Sequence, residues 1–126
     1  MFFSTLAAML IALHAVLGHA ESGTSNKWRI EFSEGANSHG KIIFHVSTDN
    51  GESFDISTSI DDGDSENHIA RRVRDSFRDA LPHHYYDVEI DDGEDVLIKE
   101  QNGAGPFRLR LVDSTVKSVR IDLDRE

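Results

Sequence analysis

The chain contains no cysteine in 126 residues. That removes disulfides, thiolate metal sites, a lipidated N-terminal cysteine and a cysteine nucleophile at once. It also lacks any apolar run long enough to cross a bilayer, which takes about 20 residues. The longest, Leu6 to Leu17, has the length of a signal-peptide core instead. Residues 1–20 hold no Lys, Arg, Asp or Glu, so nothing there marks an amphipathic element of a soluble core. Basic residues are scarce throughout: 13 Lys and Arg stand against 23 Asp and Glu, a formal net charge of −10. Such a chain repels phosphate backbones, which argues against nucleic acid as a partner.

At the N-terminus, Gly18 and Ala20 supply small residues at the two positions a signal peptidase inspects, and polar sequence begins at Glu21. The expectation is a signal peptide over residues 1–20. Residues 21–126 then form a single secreted or periplasmic domain with no membrane span. A domain of that size can bury a core by packing alone.

The segment Ser65 to Leu81 carries Ile69, Ala70, Val73, Phe77, Ala80 and Leu81 on one stripe of a 3.6-residue period, with charged residues opposite. Asp64 or Ser65 can cap its first turn, Arg71 and Asp75 are spaced to pair, and Pro82 ends it. Everything else reads as strand. Trp28, Ile30 and Phe32 alternate with polar residues over Lys27 to Glu34. Ile42, Phe44 and Val46 do so over Lys41 to Thr48, and Phe54, Ile56 and Ile60 over Ser53 to Ile60. After the helix come two strands around Tyr86 to Ile98, then Phe107 to Val112, then Val119 to Leu123. The fold class is α+β, in the order β-β-β-α-β-β-β-β. Short connections favour one largely antiparallel sheet of seven strands with the helix on one face.

Two turns can be tested for register. A three-residue loop at Asp49–Gly51 sets Val46 opposite Phe54 and Phe44 opposite Ile56; a two-residue loop would put Asp55 and Ser57 on the dry face. Phe44 to Ile56 also lines up with Tyr86 to Ile98, five identities included. The same loop there sets Tyr86 opposite Ile98 and Val88 opposite Val96.

Chemistry-bearing patterns are few. Carboxylates crowd Asp61 to Glu66 and Glu89 to Asp95, but no loop has the alternating ligands, sixth Gly and twelfth Glu of a helix–loop–helix calcium site. Asp favours hairpin turns and helix starts for backbone reasons alone. His83 and His84 are adjacent and diverge, and His39 and His45 can meet only across a loop, so no metal or cofactor site is expected. No Gly-flanked Ser sits at a strand-to-helix elbow. Gly103-Ala104-Gly105-Pro106 lacks the Lys of a phosphate loop. A glycosidase would need an aromatic-walled cleft, yet Trp28, Phe32, Phe44, Phe54, Tyr86 and Phe107 are in phase with the core, and only Tyr85 is not.

Out of phase with the core lie His45, Leu97, Arg108, Arg110 and Arg120. With strands four to seven as neighbours, the three arginines form a basic row beside acidic turns. This points to a non-catalytic binding or accessory module whose partner is a protein or an acidic glycan. An acidic inhibitor of a basic hydrolase, steered by the charge of −10, is the second reading. A small hydrolase using the acidic loops is the third.

Overall fold

The computed structural model describes residues 23–126; the expected signal segment lies outside them. Among the described residues, seven strands and one helix follow in the expected order. They are β1 (Lys27–Ser33), β2 (Gly40–Thr48), β3 (Ser53–Ile60), α1 (Glu66–Ala80), β4 (Tyr86–Asp91), β5 (Asp95–Glu100), β6 (Phe107–Ser114) and β7 (Arg120–Arg125).

The strands form two antiparallel sheets, not one. Four are ordered β4-β5-β1-β7 and three are ordered β3-β2-β6. Among the described strands, only the β2–β3 and β4–β5 hairpins pair neighbours in sequence. The segments 34–39, 101–106 and 115–119 each carry the chain from one sheet to the other. Loop composition marks such connections but does not say whether the next strand pairs with the last or crosses over.

The first hairpin has the expected register, Val46 opposite Phe54 and Phe44 opposite Ile56, with Gly51 at φ 96°. The second differs. Val88 faces Ile98, Ile90 faces Val96 and Tyr86 faces Glu100. The shift is two residues, so every side chain keeps its face. Its cause lies in the turn. Asp92 (φ 52°) and Gly93 (φ 78°) are both left-handed, a conformation Asp tolerates better than most residues. The loop therefore occupies Asp92–Glu94 and Asp91 pairs with Asp95. The two hairpins share residues but not geometry.

In α1, Ser65 takes the capping role, its hydroxyl accepting the His68 N–H at 3.2 Å. Asp64 instead braces the preceding turn, accepting the Asp61 N–H at 2.9 Å. Asp75 pairs with Arg74 at 2.9 Å, not with Arg71. The Leu81 N–H closes the last turn on the Phe77 carbonyl at 2.9 Å. The helix rests mainly on β3 and β4, one strand from each sheet, and reaches β1 and β5. It thus bridges the sheets and does not cover a single one.

All three layers share one core. Trp28, Phe32, Phe44, Phe77 and Phe107 are fully buried in it, each stabilising the fold by roughly 1.5–3 kcal/mol or more through transfer from water. The Trp28 indole N–H donates to the Phe107 carbonyl at 2.9 Å, joining β1 to β6. The Phe44 and Phe77 rings lie 5.4 Å apart, and Tyr86 meets Phe107 edge-on at 5.4 Å. These contacts tie the two sheets to each other and the three-stranded sheet to the helix. Among the described residues no helix is long and apolar enough to cross a membrane.

Candidate functional site

With their inner sides committed to the core, the sheets present two outer faces. Because strand partners share a face, the registers fix which charges stand side by side.

On the three-stranded sheet, Asp55, His45 and Arg110 form one cross-strand row, and Ser53, Ser47 and Arg108 the next. His45 Nδ1 lies 2.7 Å from Asp55 Oδ1. Arg108 pairs with Asp49 at 3.0 Å on the surface, a contact of at most about 1 kcal/mol. Arg110 makes no ion pair or side-chain hydrogen bond among the described residues. Past Arg110 the β2–β6 register slips, stepping over Val112, which the bulge leaves 42% exposed.

This face unites three of the five residues singled out in the sequence: His45, Arg108 and Arg110. Arg120 is not among them. It lies on β7 opposite Ser33, in the other sheet, so no row of three arginines forms. Leu97 is also elsewhere, on central strand β5 between Glu89 and Arg29. It is only 7% exposed, because the stems of those long neighbours flank it.

The outer face of the four-stranded sheet is acidic in a way the sequence did not reveal. Asp91, Asp95, Glu31 and Asp122 are consecutive cross-strand partners, one carboxylate from each of four strands. Like charges directly opposite one another are destabilising. Arg29, one row along, offsets part of this. Its guanidinium reaches Asp95 at 2.5 Å, Asp91 at 3.0 Å and Glu126 at 3.2 Å. Those contacts, Asp95 foremost and Glu126 next, raise its pKa beyond the usual arginine range. Farther along the face Lys99 sits 3.0 Å from Glu89 and 3.7 Å from Asp87, and its pKa is raised chiefly by Glu89. The alternation of each strand already showed these carboxylates pointing outward. What it could not show was the order β4-β5-β1-β7.

A third feature is a cleft of about 200 Å³ between the first hairpin and the 101–106 loop, lined by Asn50, Glu52, Tyr85, Tyr86, Gly103 and Ala104. It falls below the roughly 300–1,000 Å³ usual for small-molecule sites. Tyr85 is 43% exposed there, as its phase suggested. Tyr86 is buried, and that burial, with the fields of Glu52 and Glu100, pushes its hydroxyl pKa up.

Among the described residues, no histidine joins a group of three metal-ligating side chains. His39 Nδ1 accepts from the Asp62 N–H at 3.2 Å, and the His83 ring contacts the Arg78 carbonyl at 2.6 Å. No family model and no curated protein matches this chain.

Proposed function

We propose that the chain is an exported, non-catalytic binding module that engages an acidic glycan through the outer face of the three-stranded sheet. Arg110 carries this reading. On a molecule of net charge −10, its guanidinium stands without an ionic partner among the described residues, beside His45 and two residues from Arg108. An uncompensated fork of N–H donors next to a ring fits a carboxylated or sulfated sugar. The absence of Lys, Arg, Asp and Glu from residues 1–20, with the apolar run Leu6 to Leu17, supports the export part of this reading.

Protein recovered from the extracytoplasmic fraction should begin at Glu21 and be retarded on an immobilised polyuronate column at low salt. Arg110→Glu should weaken that retention about fivefold or more. Arg71→Glu, on the wet side of the helix, should not. Equal retention of parent and Arg110→Glu would refute the assignment.

The acidic row on the opposite face favours a second reading, a basic protein as partner, in keeping with an inhibitor of a basic hydrolase. That complex would weaken steeply with salt and be indifferent to Arg110→Glu, so the two readings separate in one experiment.

A further inference from the structure

The carboxylate row holds a feature that glycan binding does not use. Where the row meets the second hairpin, Glu31, Glu94 and Asp95 each offer an oxygen, and these oxygens lie within 4.8 Å of one another. The side chains of Glu31 and Glu94 have no hydrogen bond or ion pair among the described residues. Asp95 is different. Its side chain is only 8% exposed, and one oxygen, Oδ2, is held by Arg29 at 2.5 Å. The other, Oδ1, is buried with no hydrogen-bond partner. A buried carboxylate oxygen left unpaired has given up its hydration with nothing in exchange. Here it belongs to a group set directly opposite Glu31, which adds repulsion to the desolvation.

A cation resolves both penalties together, and we infer that Glu31, Glu94 and Asp95 form a calcium-binding site on the outer face of the four-stranded sheet. All three donors are hard carboxylate oxygens, as calcium prefers. Calcium also takes irregular shells of about six to eight oxygens at about 2.3–2.6 Å, whereas Mg²⁺ demands near-octahedral geometry and sheds its waters reluctantly. Three clustered carboxylates with water completing the shell therefore suit calcium better than magnesium. Arg29 acts as a positioning residue, fixing Asp95 through Oδ2 and leaving Oδ1 for the ion. Two donors adjoin in the chain while the third comes from β1, 63 residues earlier, so no contiguous loop motif marks the site. With three protein carboxylates the affinity should lie near the 10⁻⁴–10⁻³ M range of extracellular calcium modules.

The full chain, stripped with a chelator, should melt about 5 °C higher in CaCl₂ at ten times the dissociation constant than in NaCl of equal ionic strength. Calorimetric titration with CaCl₂ should give one saturable site per chain. Glu31→Gln relieves the repulsion, so without calcium it should melt at or above the parent temperature while losing the calcium increment. Glu94→Gln should lower calcium affinity at least about tenfold. Equal increments from CaCl₂ and MgCl₂, or from CaCl₂ and NaCl, would overturn the proposal, as would Glu31→Gln and Glu94→Gln proteins that titrate like the parent.

Discussion

At the scale of single residues, Arg29 decides how the acidic face is tolerated. Three carboxylates converge on it, and one of them, Asp95, has a side chain only 8% exposed. Truncation would leave that carboxylate enclosed without its cation, a change that costs several kcal/mol where both groups are deeply buried. Arg29 is partly solvated, so Arg29→Ala should destabilise the domain by about 2–3 kcal/mol in urea unfolding. A loss under about 0.5 kcal/mol, typical of a surface substitution, would show that the cluster is an ordinary solvated one.

Tyr86 reports on a different interaction. Its hydroxyl pKa is raised in the fold by burial and by Glu52 and Glu100, above the roughly 10 it has in the unfolded chain. The stability tied to its protonated form is thus fully present below about pH 10 and lost as pH rises through the folded value. Lys99, also raised, acts in the same sense. Tyr86→Phe should therefore lose less stability than the parent between pH 9 and pH 11 in urea melts, and equal losses would contradict the assignment. Residues such as Arg29 and Glu31 were legible as outward-pointing from the alternation of Lys27 to Ser33. Their neighbours were not, since those come from strands more than sixty residues away.

At the scale of elements, the helix was the most readable part of the chain. Its stripe, cap and stop all act within a few residues of one another, and the observed Glu66–Ala80 with Ser65 as cap follows from them. The same locality explains the first hairpin, where the hydrophobic pattern left one register open. It also explains the failure at the second. A two-residue shift preserves both faces, so hydrophobicity cannot choose between the registers, and the choice fell to left-handed Asp92. Phe77 gives the element-scale test. It is fully buried and its ring lies 5.4 Å from Phe44 across the helix–sheet boundary. Phe77→Ala should cost about 3–5 kcal/mol, a large part of the stability of a domain this size. A variant melting within a degree of the parent would mean that the helix contributes little to holding the sheets.

At the scale of the whole molecule, the sequence disclosed the class and element order but not the division into two sheets. Which strands join a sheet depends on whether connections such as 101–106 turn back or cross over, and glycine-rich composition permits both. That division decides which side chains share a surface, because it sends Arg120 and Leu97 to one outer face and His45, Arg108 and Arg110 to the other. It also requires the faces to be held by one shared core, with Trp28, Phe44, Phe77 and Phe107 packed where the layers meet. Native-state hydrogen exchange tests this most directly. The Ile30 amide in the middle of the four-stranded sheet and the Phe44 amide in the middle of the three-stranded sheet should exchange only through global unfolding, with equal opening free energies that fall together under urea. If the Phe44 amide opened at a markedly lower free energy than Ile30, the sheets would be separate cooperative units, and the single bridged core would be wrong.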